Sequence, residues 1–498
     1  MTEADEPPRK IKEPSYADGI APMLLLVVLI AGAVALFGLQ ATEGPIQVAL
    51  ILAAMFTALI ILKNGHPWEE IAEAGRKGVS SVVSAIFILL SVGALIGAWN
   101  MSGTIPTLVF YGIQILSPNW FYLASLVICS AISMGIGSSW TTAGTIGVGL
   151  TALATLAGVS PVITAGAVVS GAYVGDKLSP LSETTVLAAQ LTGNDVYTHL
   201  RAQMKTSVPA FILAAVLFGM IGLMDGSEGA GEAVIASELV ALDGLFHITP
   251  LNLLPLVLLV TLSVLRVPAS LAIMAAALFA GLMAPLLQSE AVLRFVGTDQ
   301  TAAPWDYIKG IWQALATGYR TTSGIAEVDS LLSRGGMDSM LKTIWLILGA
   351  LVFGTLLDEF GLLSKLITPM LKAARTSGQL VASAAGTAIG LNIIAGDQYL
   401  ALVLPARLFR REFEARGLPS TNLSRTLADA GTVTSPLVPW NSCGAYMSAV
   451  LGVPTLLYLP FCFFNLASPL LTVVVGARMP TSAARIGHNN QVPRRPYT

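Results

Sequence analysis

Charge is what this sequence has least of. Aspartate, glutamate, lysine and arginine make up 11% of its 498 residues, less than half of the roughly 25% typical of soluble chains. That is too little to cover the surface of a water-soluble domain, so the soluble classes are excluded. Cysteine is scarce as well. Cys129, Cys443 and Cys462 lie in apolar segments without metal-ligand spacing and read as small core residues. The four histidines, His66, His199, His247 and His488, fall at expected loops or helix ends and form no cluster. Neither a zinc site nor a Ser-His pair can be assembled from them. "GSSW" at 137–140 therefore has no partner base and is not read as a nucleophile elbow. No nucleotide or ATPase motif is visible. We expect no cofactor, no enzyme activity and no nucleic-acid partner, with an ion gradient as the driving force.

What fills the chain instead is apolar: 54% of residues, with mean hydropathy +0.73. Apolar runs of about 18 residues or more, the length that crosses roughly 30 Å of hydrocarbon, recur throughout. Clear spans are expected at about 20–38, 45–63, 79–98, 204–224, 250–264, 267–287, 343–360 and 453–476. The opening stretch, "MTEADEPPRKIKEPSYADG", lacks the short apolar core of a signal peptide.

Lysine and arginine in short loops set the expected orientation. Arg9, Lys10 and Lys12 precede the first span, and Lys63, Arg76 and Lys77 follow the second; both places read as cytoplasmic. Residues 39–44 and 99–120 carry no base and read as external. Residues 288–342 read as a long loop. Lys365, Lys372 and Arg375, then the arginines from 407 to 425, read as cytoplasmic, and so does the C-terminal tail.

The two halves repeat. At one offset Gly78, Ser81, Ile86, Leu90 and Gly103 meet Gly336, Ser339, Ile344, Leu348 and Gly361. At another, Gly137 meets Gly390 and Asp176 meets Asp429; "SPL" at 179–181 also recurs at 435–437. Span 79–98 should run outward and its counterpart 343–360 inward, which makes the copies inverted, as in many secondary transporters. Residues 377–406 begin and end beside cytoplasmic bases yet are too short for two spans. They read as a re-entrant hairpin with "GLNIIAGDQ" (390–398) at its tip. Residues 121–158 are the first-copy equivalent, with "GIGSSWTTAGTIG" (135–147) at the tip. After each hairpin comes an interrupted span: 161–195, broken at "GDKLSPLSETT", and about 424–450, broken at "DAGTVTSPLVPWNSCG".

The expected fold is thus an all-α polytopic membrane protein. It has two inverted-topology repeats, about 10–12 transmembrane helices, two re-entrant hairpins and two broken helices. The expected parts are a cytoplasmic N-terminal tail (1–19), a first membrane repeat (20–224), a linker (225–249), a second repeat (250–476) and a cytoplasmic C-terminal tail (477–498).

The breaks explain why Asp176, Lys177 and Glu183 fall within a few residues of one another in so apolar a region. Pro180 withholds a backbone N–H, and broken helices at membrane depth are tolerated only where protein or a water-filled cavity receives the freed groups. Ionisable groups there cost at least about 2.5–3.5 kcal/mol each, so they are expected to be functional. Carbonyls, hydroxyls and carboxylates are hard oxygen ligands suited to an alkali cation. Candidate ion and proton ligands are Asp176, Ser179, Ser182, Glu183, Thr184, Asn392, Asp397, Asp429, Ser435 and Asn441. Ser138, Ser139, Thr141 and Thr142 stand at the first hairpin tip. Na⁺ is placed at Asp176, Asp429 and Asn441. Other readings stand beside these: Lys177 snorkelling to the interface, Glu183 as a helix cap, Asp429 paired with Arg425.

"GAYVGDKLSPLSETT" (171–185) resembles the signature of the NhaC family of Na⁺/H⁺ antiporters. "VDSLLSRGGMDSM" (328–340), "TSPLVPWNSCGAYMSAVLGV" (434–453) and "FFNLASPL" (463–470) are similar to that family too. The resemblance implies a Na⁺/H⁺ antiporter of the ion-transporter superfamily, commonly a homodimer with a scaffold and a mobile, elevator-like transport domain. It implies Na⁺ and H⁺ as transported ions and membrane lipid as surroundings, in the bacterial inner membrane. It also matches Asp176, Ser179, Ser182, Glu183 and Thr184 to the first motif, and Ser435, Pro436, Asn441 and Ser442 to the later one. An exchanger of a small organic anion or amino acid coupled to Na⁺ or H⁺ is the alternative, and an ion channel a remote one.

Overall fold

The computed structural model describes residues 11–225, 232–297 and 303–478. Arg9 and Lys10, His488, part of the 225–249 linker and nearly all of the 477–498 tail lie outside them. Every regular element among the described residues is helical.

The first half runs α1 (Tyr16–Phe37), α2 (Pro45–Lys63), α3 (Trp68–Ser81), α4 (Val83–Met101), α5 (Thr104–Ile115), α6 (Phe121–Ile136), α7 (Ser139–Thr142), α8 (Val148–Leu156), α9 (Pro161–Leu178), α10 (Glu183–Leu191) and α11 (Val196–Asp225). After α12 (Glu232–Leu245) come α13 (Leu254–Val264), α14 (Ala269–Leu287), α15 (Ser289–Val296), α16 (Pro304–Thr317), α17 (Ala326–Leu332) and α18 (Leu341–Glu359). The chain ends with α19 (Leu362–Ala373), α20 (Ser377–Ile394), α21 (Gln398–Ala415), α22 (Ser420–Leu427), α23 (Ser442–Leu451), α24 (Thr455–Tyr458) and α25 (Phe463–Ala477).

Eight helices among the described residues are long and apolar enough to cross a bilayer, or ten if two sharply bent pairs each count as one span. Their outer faces carry exposed apolar side chains, such as Leu24 and Val28 on α1, Met55 and Leu59 on α2, and Ile212 and Met220 on α11. Such faces suit lipid, where no water competes for backbone groups and the helix satisfies them internally. The chain is a multi-pass membrane protein.

Several expected boundaries shift. The base-free 99–120 segment is not a loop, because Gly103 turns in the left-handed region (φ 75°) and starts α5. The 288–342 segment holds α15, α16 and α17. The expected span 453–476 is α25 alone, fifteen residues long, since Pro454 and Pro460 turn the chain aside by 91° between α23 and the Thr455–Phe461 segment. The segments expected as re-entrant hairpins are longer than that reading requires: Pro118–Ile136 and Ser377–Ile394 are each long and apolar enough to cross a bilayer, and α21 continues to Ala415.

The halves interlock rather than sit side by side. α4 packs on α14 and α16 of the second half, while α18 packs on α2 and α3 of the first. The element order also repeats at one spacing. Left-handed Gly137 and N-cap Ser138 correspond to left-handed Gly396 and N-cap Asp397; N-cap Ser182 corresponds to N-cap Asn441. Gly390, expected opposite Gly137, lies inside α20. At the same spacing, Asp176 is matched in sequence by Ser435 rather than Asp429.

Candidate ion-binding site

α9 ends at Leu178, and Pro180 keeps the chain from continuing as helix until Ser182 caps α10. Helix ends leave carbonyls without partners. Here the Thr185 hydroxyl donates to the carbonyls of Asp176 (2.9 Å) and Lys177 (3.1 Å). The broken helix can approach the first hairpin closely because α6 passes directly over Gly171 and Gly175. A Cβ on Gly171 would meet the Leu126 carbonyl at 2.5 Å, and one on Gly175 would overlap the backbone of Ser133 and Met134.

That packing brings the turn between α6 and α7, the expected first tip, to the break. The Asp176 side chain accepts from Ser139 Oγ of the tip (2.7 Å), from Ser182 Oγ (2.5 Å) and from Thr184 Oγ1 (3.3 Å). Asp176 is 6% exposed, and no cation lies within ion-pair distance of it among the described residues. A nearly buried carboxylate ringed by three hydroxyls and no base can accept a proton or a small hard cation.

The adjacent residue does something different. Lys177 is fully buried and paired with Asp429, with its ammonium 5.3 Å from the centre of the Phe464 ring. Asp429 lies in the π-helical stretch Ala428–Thr432 that follows α22. It also accepts from Thr206 Oγ1 (3.1 Å) and stands 3.9 Å from Arg425 Nε.

A third group joins the end of α20 to the second break. Asn392 Nδ2 donates to the Gly431 carbonyl (2.6 Å) and Thr434 Oγ1 (2.9 Å), while Asn441 Nδ2 donates to Asn392 Oδ1 (3.1 Å). Asn441 Oδ1 caps α23 through the Cys443 N–H (3.0 Å). Across the two breaks, Tyr173 and Ser435 hydroxyls meet at 3.4 Å. The rings of Trp140, in the first tip, and Tyr446, on α23, stack with centroids 4.1 Å apart.

The other candidates are held locally. Asp397 caps α21 by accepting from Leu400 N–H (2.8 Å), and Ser179 Oγ accepts from Leu181 N–H (3.2 Å). Ser138 Oγ accepts from the Thr141 N–H and hydroxyl, and Thr142 bonds the Ser138 carbonyl. Glu183 is exposed and accepts from the Tyr399 hydroxyl at 3.0 Å. Asp176, Asp429 and Asn441 thus belong to three separate hydrogen-bonded groups.

The sequence profile of the Na⁺/H⁺ antiporter family matches residues 17–189 and 171–477. The chain belongs to that family. The Na⁺/H⁺ antiporter NhaC of Alkalihalophilus pseudofirmus is 37% identical over 432 residues, covering 87% of this chain and 89% of that protein. NhaC of Bacillus subtilis is 33% identical over 430 residues, covering 86% and 92%. A Bacillus subtilis protein named malate-2H⁺/Na⁺-lactate antiporter is 34% identical over 461 residues, covering 91% and 94%. These relatives are named as transporters, and the chain is a secondary transporter of the antiporter class, not an enzyme.

Within this antiporter the residues that composition alone did not single out are Thr185, Thr206 and Thr434. Thr185 sits inside the 171–185 motif, and its hydroxyl could have been matched to the orphan carbonyls of α9. Thr206 and Thr434 carry no such signal, since each acts through a partner distant in sequence or on another helix.

Proposed function

We propose that the chain exchanges Na⁺ for H⁺, with the Asp176 carboxylate as the group that the two ions occupy in turn. The observation that carries this is the asymmetry between neighbours. Asp176 has only hydroxyl partners, whereas Asp429 is engaged by Lys177. A carboxylate already neutralised by an ammonium has little to offer a cation; one surrounded by neutral oxygens keeps its charge available. Ser139, Ser182 and Thr184 donate to the carboxylate and can turn their lone pairs toward a bound Na⁺. A proton on Asp176 removes the charge that holds Na⁺, so the two compete and each displaces the other.

Exchange then needs the loaded site to face each side alternately. The repeated element order, with cytoplasmic bases after α2 and after α18, supports an inverted pair of repeats in the inner membrane with both termini cytoplasmic. The two hairpins and two broken helices form the moving body of an elevator. The interlocked α1–α4, α13–α14 and α18 supply the scaffold and a homodimer contact.

The test is Na⁺-dependent collapse of a pH gradient in everted vesicles. Wild type dissipates the gradient and Asp176→Asn does not, while the variant protein inserts at normal levels. Unchanged exchange by Asp176→Asn removes the assignment.

A further inference from the structure

The "VDSLLSRGGMDSM" motif takes no part in the ion site. Gly335 and Gly336, both at positive φ (92° and 88°), let its chain lie directly on α4, where Gly336 N–H donates to the Gly93 carbonyl (2.7 Å). This places Arg334 on the wall of a polar cavity of about 560 Å³. Arg334 is largely covered, yet it has neither an ion pair nor a hydrogen bond among the described residues. Three bases, Arg320, Arg334 and Lys342, and two acids, Glu43 and Asp338, line that cavity. Lys342 is paired with Glu43 (2.7 Å), and the wall as a whole keeps one positive charge in excess.

A second cavity, about 400 Å³, continues from the first, and Leu39, Thr42, Pro439 and Pro454 line both. Its wall, among the described residues, carries no charged side chain. It follows α1 from Met23 to Val34, opposite Ile393 at the end of α20 and Trp440 in the second break. Val27, Ile393 and Leu456 on this wall are exposed, so the groove opens sideways, toward hydrocarbon. The run from Met23 to Val34 is about 16 Å of helix at 1.5 Å per residue, close to half of a hydrocarbon core about 30 Å thick. There α1 ends, and the turn Gly38–Glu43 carries the wall into the polar cavity. Arg334 stands at that seam: a Cβ on Gly452 would overlap its Nη2, and Pro454, just beyond, lines both cavities.

We propose that the two cavities together hold one anionic phospholipid, with an acyl chain along α1 and the phosphodiester at Arg334, beside Arg320. The groove is as long as one leaflet is deep and ends where the unpaired base begins. The planar guanidinium fork matches two phosphate oxygens in parallel hydrogen bonds. A free phosphate would leave the apolar groove unused, and a zwitterionic lipid would bring an ammonium to a wall already positive. The site goes beyond Na⁺/H⁺ exchange and does not depend on it, because binding is read without Na⁺.

The experiment is native mass spectrometry of the purified full-length protein in detergent and Na⁺-free buffer, titrated with phosphatidylglycerol, phosphatidylcholine or inorganic phosphate. Wild type takes up one phosphatidylglycerol per chain, about fivefold or more tighter than phosphatidylcholine, and phosphate does not displace it. Arg334→Gln weakens phosphatidylglycerol by about tenfold and leaves phosphatidylcholine unchanged, and Arg334→Lys restores part of the loss. Val27→Trp, at an exposed position in the groove, weakens both lipids with the bases intact. Thermal unfolding of each variant in lipid-free detergent confirms that it is folded, and Arg320→Gln, on the same wall, weakens phosphatidylglycerol in the same direction should Arg334→Gln unfold. The proposal is overturned if phosphatidylcholine binds wild type as tightly as phosphatidylglycerol, if folded Arg334→Gln binds phosphatidylglycerol as wild type does, or if inorganic phosphate displaces the lipid mole for mole. It also falls if Val27→Trp converts an oligomer to monomers with phosphatidylglycerol binding unchanged, since a second copy would then cover the groove.

Discussion

Lys177 and Asp429 form an ion pair in which both side chains are fully buried, joining the end of α9 to the π-helical stretch after α22. The pair joins the first broken helix to the second. Arg425, itself 1% exposed, stands behind it at 3.9 Å and makes the cluster one acid against two bases.

That imbalance gives an ordered prediction. Asp429→Leu strands two buried cations, and breaking a buried pair by removing one partner costs about 3–5 kcal/mol. Lys177→Met leaves Asp429 with Arg425 still beside it, so it should cost clearly less, by about 1 kcal/mol or more on the same scale. Thermal unfolding in lipid nanodiscs checks the order. Equal losses, or a greater loss for Lys177→Met, would mean that Arg425 does not share the acid.

How much of this could be read from the sequence follows from the range of the interactions. The breaks at 179–182 and 433–441, and the turns at 137–138 and 395–397, were legible because Pro, Gly and capping residues act within a few positions. Asp176 stood out because an acid in an apolar run has a cost that composition reveals. Ser138, Ser139, Thr141 and Thr142 were placed at the first tip, but that Ser139 is the one to reach Asp176 follows only from the helix packing at Gly171 and Gly175. The pairing of Asp429 with Lys177 was not legible, because it spans two halves and depends on helix rotation. Helix neighbours 176 and 177 point about 100° apart, so their charges serve different ends. Asp176 and Asp429 are alike in type, yet the caps that stand at one common spacing are unlike: Ser138 and Asp397, Ser182 and Asn441.

Neighbouring serines at the start of α7 have different partners. Ser139 reaches Asp176, while Ser138 accepts from the Thr141 N–H. A hydrogen bond to a charged group contributes about 1.5–3 kcal/mol, which corresponds to roughly 10–100-fold in affinity. Ser139→Ala and Ser182→Ala should therefore each raise the apparent KM for Na⁺ by about tenfold or more. Ser138→Ala should instead cost about 1 kcal/mol of stability as a lost cap, with KM changed less than threefold. Na⁺ titrations of the pH-gradient signal in everted vesicles distinguish them. A KM rise for Ser138→Ala as large as for Ser139→Ala would show that the whole tip, not one hydroxyl, serves the ion.

Gly137 and Gly390 carry the register argument into a measurement. Gly137 ends α6 at φ 78°, and a Cβ there would meet Leu181 Cβ at 2.7 Å, in the break itself. Gly390 lies within α20 with open space where a Cβ would stand. Alanine in the left-handed region costs about 1–2 kcal/mol, and the contact with Leu181 adds to it by pushing the tip away from Ser182. Gly137→Ala should lose at least that much stability and slow exchange severalfold. Gly390→Ala should be neutral or gain up to about 1 kcal/mol, because alanine is the better helix former. If the two glycines were equivalent hinges, both substitutions would impair exchange alike. The structure requires that only the one beside Leu181 does, and paired stability and exchange measurements on the two variants decide between these outcomes.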